Sequence, residues 1–120
     1  MAGIHIEVAD PALVVELGGV SDRSVLYLGT TAAAASSPVA VAVDVGLLIV
    51  TATGCSITLP PGGSHVGSLI VKDATGSAAA HPHTLTPDGS ETIDGLSSLM
   101  MASDYGSVSL RWAVGAWHIT

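Results

Sequence analysis

Apolar and polar residues alternate along most of this chain, with the period of a β-strand. In GIHIEVAD, Ile4, Ile6 and Val8 fall on one face of an extended segment, and polar residues stand between them. Pro11 follows shortly and interrupts the pattern. The N-terminal segment is therefore predicted to form a half-buried strand.

Residues 11–38 carry weaker patterns. PALVVELGG suits a strand or a helical turn, and SVLYLGT suits a short strand over residues 25–28. The run TTAAAASSP (30–38) is shorter than the ~12 residues that an isolated helix needs, so we interpret it as a linker or an extended arm. The chain then divides into an N-terminal strand with an Ala-rich arm, 1–37, and a β-domain, 38–120.

Beyond residue 38, short β-type segments are separated by turn signals. VAVAVDVGLLIVTATG predicts one or two strands, with Gly46 at a bulge or turn, and SITL, SLIVK and HTLT predict one strand each. Turn residues between them include Pro-Pro-Gly-Gly, Pro-Asp-Gly and the group Asp73, Gly76 and Ser77. Strands at this spacing predict an all-β fold, which we expect to be a compact antiparallel β-sandwich or barrel with a jelly-roll-like arrangement. No long internal repeat is recognisable.

The last 14 residues predict a hairpin that completes the core. SVSLRWA forms one strand, Gly115 reverses the chain, and Trp117 and Ile119 share the inner face of the second strand. The two indoles supply bulk that this core otherwise lacks. The side chains expected to build the core are Ile57, Leu59, Leu69, Val71, Leu85, Ile93, Val108, Leu110, Trp112 and Trp117.

The composition favours self-association. Hydrophobic residues make up 48% of the chain, but aromatic residues make up only 3% and Phe is absent. Few bulky side chains and few charges leave an apolar surface, and contiguous apolar surface usually marks an interface. The net charge of −7, with only three basic side chains, argues against nucleic-acid binding, which needs clustered Lys and Arg.

No targeting or membrane-spanning segment is recognisable. MAGIHIEVAD lacks a basic region, and its apolar residues alternate instead of forming a run. The longest apolar stretch, PVAVAVDVGLLIV, contains Asp44 and is shorter than the ~20 residues that cross a bilayer. We therefore expect a soluble protein that is made in the cytoplasm and does not bind membranes.

His81 and His83 flank a proline and are the one candidate metal pair. In an extended segment, positions i and i+2 point to the same side, and a threefold axis would bring three such pairs together. We favour a solvated loop, because two ligands do not complete a zinc site, which usually has four.

The remaining candidate chemistry also favours structural interpretations. Asp88, Glu91 and Asp94 lie close together, but they lack the spacing of a calcium-binding loop and two of them stand beside turn glycines. Ser64 and His65 are neighbours and face opposite sides of an extended segment. The lone cysteine at position 55 is expected in the core. We expect no enzymatic activity and no cofactor.

From about residue 50 the chain reads TATGCSITLPPGGSHVGSLIVKDATGSAAAHPHTLTPDGSETIDG and, at its end, SDYGSVSLRWAVGAWHIT. This part resembles a recurrent β-rich module of bacteriophage virion proteins. The likeness rests on the order of TLP, KDATG, TIDG and a terminal Gly-x-Trp. Val114 departs from the pattern, since the module often carries Asp or Asn before that Gly.

The resemblance implies a structural protein of the virion, usually trimeric, as in tail fibres, tail spikes, head fibres and capsid decoration proteins. Because the extended shaft of the longer fibres is missing, we expect a homotrimer on the capsid surface, made in the host cytoplasm, that binds the major capsid protein and stabilises the head shell. The alternative is a tail-associated module that binds a host receptor. The residues expected at the trimer interface are Ile4, Ile6, Val8, Trp117 and Ile119.

Overall fold

The computed structural model describes residues 29–120 with their side chains, and the backbone of three strands before them. These strands are β1 (Ile4–Ala9), β2 (Ala12–Leu17) and β3 (Val25–Tyr27), and they pair antiparallel in the order β1-β2-β3. The strand predicted within GIHIEVAD is confirmed at Ile4–Ala9, and PALVVELGG contains the strand Ala12–Leu17. The side chains of Ile4, Ile6 and Val8, predicted at an interface, lie outside the described residues.

The rest of the chain forms two mixed β-sheets with almost no helix, which confirms the all-β prediction. The five-stranded sheet has the order β12-β11-β8-β6-β4 and the four-stranded sheet the order β10-β9-β7-β5. One 3-10 turn, η1, lies between β7 and β8. The elements are β4 (Thr30–Ala34), β5 (Val39–Ala40), β6 (Val45–Val50), β7 (Ser56–Thr58), η1 (Gly62–Ser64), β8 (Ser68–Asp73), β9 (His83–Thr86), β10 (Leu99–Met101), β11 (Ser107–Ala113) and β12 (Ala116–Ile119).

Strands β4 to β9 wind through the two sheets as three successive coils. They alternate between the sheets, so that β4, β6 and β8 pair parallel in one sheet, and β5, β7 and β9 pair parallel in the other. Antiparallel pairing enters the two sheets at the C-terminal end, where β10 joins β9 and the β11–β12 hairpin joins β8.

The antiparallel direction predicted from the turn spacing is therefore wrong for β4 to β9. Parallel neighbours need a long crossover, and each crossover here is a strand of the opposite sheet. The described strands leave two edges on each sheet, so neither sheet closes into a barrel, and these pairings do not show a jelly-roll order.

The Ala-rich stretch is part of the five-stranded sheet, so the linker prediction is wrong for Thr30–Ala34. This segment forms the edge strand β4, parallel to β6, and Ala34 is buried beside Val50. Strand formation depends strongly on packing against neighbours, and here β6 supplies the neighbour for residues of low intrinsic preference. The boundary drawn at residue 37 stays a prediction.

The core lies between the two sheets and is organised in columns of stacked side chains. One column runs Val39, Ile57, Leu85 and Leu99 across the four-stranded sheet. Residues of both sheets belong to one apolar cluster. The predicted core is confirmed: its members are buried, except Val108 and Trp112, which are partly buried against the cluster.

The closing hairpin turns through Val114 and Gly115, which both have positive φ, 51° and 77°. Two such residues form the type I′ turn that suits the twist of a two-residue hairpin. Trp117 stands opposite Trp112, with ring centroids 5.9 Å apart, and packs against His65 at 5.3 Å. Trp117 has no exposed surface, so its prediction as an interface residue is wrong. Ile119 is exposed, and its interface role stays a prediction.

Candidate functional site

The most elaborate polar arrangement is a buried network that joins three parts of the winding, which we call the Asp73 network. Asp73 ends β8, His83 begins β9, and Cys55 stands directly before β7. All three are fully buried. In the five-stranded sheet Asp73 occupies the same inward column as Ala34 and Val50. A carboxylate thus lies where the preceding coils carry apolar side chains.

Both oxygens of the Asp73 carboxylate accept hydrogen bonds. Oδ1 accepts from the Thr75 backbone N–H at 3.1 Å, from the Thr75 hydroxyl at 2.6 Å and from Nε2–H of His83 at 2.7 Å. Oδ2 accepts from the backbone N–H groups of Gly76 at 3.1 Å and Tyr105 at 2.9 Å. Five donors therefore replace the water that the buried carboxylate has lost.

The surroundings of Asp73 act on its pKa in opposite directions. Burial alone raises the pKa, since it penalises the charged form. The hydrogen bonds from His83, Thr75 and Tyr105 outweigh burial and hold the pKa of Asp73 well below its usual value. The carboxylate is therefore ionised at neutral pH, and its charge is part of the folded structure.

The second ring nitrogen of His83 is also engaged. Its Nδ1 accepts a hydrogen bond from the backbone N–H of Cys55 at 3.0 Å. Since a backbone N–H can only donate, Nδ1 is the acceptor and Nε2 carries the hydrogen that Asp73 receives. The imidazole is thus a fixed bridge between β8 and the chain entering β7.

Cys, His and Asp together suggest a nucleophilic site, but the geometry serves another purpose. The Cys55 thiol lies 3.5 Å from the backbone oxygen of Ser36, while His83 faces the backbone of Cys55. Burial raises the pKa of the Cys55 thiol, and a hydrogen bond with Ser37 lowers it by less. The network therefore holds together the loop after β8, β9 and the segment before β7. The burial predicted for Cys55 is confirmed.

The candidate metal pair is not assembled, and the solvated loop that we favoured is wrong for His83, which is a buried residue of β9. His83 is buried with both ring nitrogens hydrogen-bonded, whereas His81 is exposed. The two side chains therefore do not share a side, because the chain turns before β9. Within the described residues, no group of three or more His, Cys, Asp or Glu side chains is placed to hold a metal ion.

The acidic residues predicted in turns have separate positions. Asp94 has a positive φ of 48° beside Gly95, as a turn residue does, and its Oδ1 lies 3.6 Å from Nδ1 of His118. Glu91 has a role that sequence reasoning missed: its carboxylate accepts from the Gly62 backbone N–H at 3.1 and 3.3 Å. Ser64 is exposed and His65 is buried, but Ser64 lies in η1, so the extended segment assumed for the pair is not formed there.

The outward face of the five-stranded sheet carries the second candidate site, an apolar surface formed by Ala33, Leu47, Ile49 and Ile70, which we call the outer patch. The register places Ala33 beside Ile49 and Leu47 beside Ile70. Leu47 and Ile49 are half-buried, and Ile70 is 38% exposed. Parallel strands usually have both faces covered. On the parallel strands β4, β6 and β8, the outer patch is left partly exposed among the described residues.

The part of the chain that the structure describes contains no helix long and apolar enough to cross a membrane. A scan against protein-family models finds no match to this chain, and a search of curated proteins also finds none.

Proposed function

We propose that this chain is a structural protein of a bacteriophage virion, a homotrimeric capsid decoration protein that binds the major capsid protein and stabilises the head shell. The observation that carries the proposal is the outer patch, an apolar surface on the solvent-facing side of the five-stranded sheet. The order of TLP, KDATG, TIDG and Gly-x-Trp supports the same function through its resemblance to virion modules.

The outer patch suits contact with a broad and rigid partner. Its side chains stand on three neighbouring strands in fixed register, so it presents apolar groups without a loop that must first be ordered. Lys72 lies next to Ile49 in the register and Thr31 next to Leu47. An apolar centre with polar neighbours is the usual anatomy of a protein interface.

Stabilisation of a shell follows from multivalency. One copy that binds through the four side chains of the outer patch binds weakly. A trimer that engages several shell subunits gains affinity without any new kind of contact. The Asp73 network supports this function mechanically, since it ties together the loop after β8 and strands of both sheets. The net charge of −7 favours a basic partner surface.

The experiment mixes purified protein with undecorated phage heads and measures bound copies and the temperature at which the heads disrupt. We expect saturable binding and a higher disruption temperature. The double variant Leu47→Ser/Ile70→Ser should bind much more weakly. Leu96→Ser is the matched control, because Leu96 is half exposed in the turn before β10 and lies outside the outer patch.

Absence of binding by the wild-type protein, or equal loss in the control and the patch variant, contradicts the proposal. Binding to host cells in place of heads would favour the alternative function, recognition of a host receptor by a tail-associated module.

A further inference from the structure

No side chain of residues 29–120 packs against Val114. It is fully exposed and has a φ of 51° at the first position of the type I′ turn. Positive φ is unfavourable for a β-branched residue, and Asn-Gly is the preferred pair in such turns. Folding alone therefore favours a different residue here. A conformational outlier of this kind points to a contact outside the chain.

A matching cavity lies at the other end of the same hairpin. It has a volume of about 300 Å³ and opens between β10 and the hairpin, where Leu99, Met101, Val108 and Ile119 contribute its apolar lining. None of the side chains that line it is charged. It is therefore suited to apolar side chains.

Val114 cannot reach the cavity of its own chain. The cavity is lined by Ser107 at the start of β11, and Val114 follows Ala113 at its end. A strand of seven residues at ~3.3 Å per residue separates the two by about 20 Å. A contact between Val114 and this cavity therefore needs a second copy.

Charges of both signs stand near the cavity, since Lys72 pairs with Ser107 in the register and donates to the Tyr105 backbone oxygen. Arg111 is exposed on the strand that leads to Val114. Asp104 is exposed at the rim of the cavity, between the lining residues Ser103 and Gly106. For a chain of net charge −7, copies repel one another unless the contact is uncharged or pairs opposite charges. The lining of the cavity is uncharged, and Asp104 at its rim is opposite in sign to Arg111.

We propose that Val114 of one copy inserts into the cavity between β10 and β11 of the next copy. The two surfaces differ, so the contact is head-to-tail, and a threefold rotation between copies would close it into the trimer of the proposed function. This inference rests on the self-association included in the proposed function and assigns the residues that make it. It accounts for a valine where the turn prefers asparagine.

Three variants test the contact by sedimentation velocity over a range of concentrations. Val114→Asn removes the inserted side chain and suits the turn better, Ser107→Trp fills the cavity, and Val66→Asn is a matched control at an exposed valine outside both surfaces. We expect Val114→Asn to raise the dissociation constant of the assembly about 10- to 100-fold, the value of burying one valine. Its melting temperature, measured at a dilution where all samples are monomeric, should rise.

Mixing the Ser107→Trp and Val114→Asn chains is the more specific test of the contact. The Ser107→Trp chain keeps its Val114, and the Val114→Asn chain keeps its cavity, so together they should form a 1:1 complex that neither forms alone. The proposal is overturned if Val114→Asn assembles as tightly as the wild type, if mixing gives no complex, or if the wild type stays monomeric. Binding to phage heads is measured separately, so failure of the capsid function with an intact head-to-tail contact is distinguishable.

Discussion

Replacing Asp73 by asparagine tests the physical role of the buried network. Asparagine has nearly the same shape but presents an NH2 group in place of one carboxylate oxygen. If its oxygen keeps the position that receives His83 and Thr75, the NH2 group faces the backbone N–H groups of Gly76 and Tyr105. These two backbone N–H donors then face an NH2 donor instead of an acceptor. Water does not replace the lost acceptor, because Asp73 is fully buried.

The cost follows from counting the lost acceptors. Each buried donor left without a partner costs about 1–3 kcal/mol, so two cost about 2–6 kcal/mol. Domains have a free energy of unfolding of about 5–15 kcal/mol, so Asp73→Asn should remove a large share of it. Urea unfolding followed by the fluorescence of buried Trp117 should show a midpoint lower by at least about 1 M.

The contribution of Asp73 to the free energy of unfolding depends on pH in a direction that its pKa fixes. The folded pKa of Asp73 lies below its unfolded value of about 3.9. Its contribution to stability is therefore fully present above that pH and is lost as the pH falls below it. The difference between wild type and Asp73→Asn should be constant from pH 5 to 8 and shrink below about pH 4.

Asp88→Asn is the control, since Asp88 is exposed in a turn and should change stability by less than about 0.5 kcal/mol. A loss below about 1 kcal/mol for Asp73→Asn, or a difference that grows on acidification, would show that the network does not hold the fold in the way described.

Two further predictions concern packing and reactivity. A Cβ at Gly62 would lie 1.9 Å from the Trp112 ring, whereas Gly63 has open space, so Gly62→Ala should cost about 1–3 kcal/mol by overpacking and Gly63→Ala should be nearly neutral in thermal melting. The buried Cys55 thiol, whose pKa is raised, should react with a thiol reagent only in urea; rapid labelling of the folded protein would contradict its placement.

Alternation predicted most of the strands because every strand in the two sheets has the core on one side, but β4 and β10 were not predicted from it. Leu110 and Trp117 were assigned to the core from this pattern alone, and both are fully buried. The direction of pairing was not predictable in the same way. The parallel partners Ala34, Val50 and Asp73 are unequally spaced along the chain, because the coil between Val50 and Asp73 contains η1 and the coil between Ala34 and Val50 does not. The structural repeat thus leaves no sequence repeat.

The buried network was missed because each of its members has a simpler local interpretation. Asp73 precedes Thr75 and Gly76 and was assigned to a turn, whereas it ends strand β8 and its buried carboxylate accepts hydrogen bonds from the bend that follows. One signal was present in HTLT: His83 and Leu85 are two residues apart in a strand, so an inward Leu85 implies an inward His83. Its partner in the opposite sheet is fixed only by the tertiary fold.

The two ends of the stacked coils differ in whether a further coil of two strands can pair with them. Antiparallel strands finish the C-terminal end, while β4 and β5 each have a single pairing partner among the described strands. An extra turn of chain inserted ahead of Thr30, shaped like the coil of β6 and β7, would find backbone partners waiting without disturbing the terminal hairpin. Lengthening this protein by whole coils therefore means adding strands at the β4 and β5 edges, and it leaves the C-terminal hairpin in place.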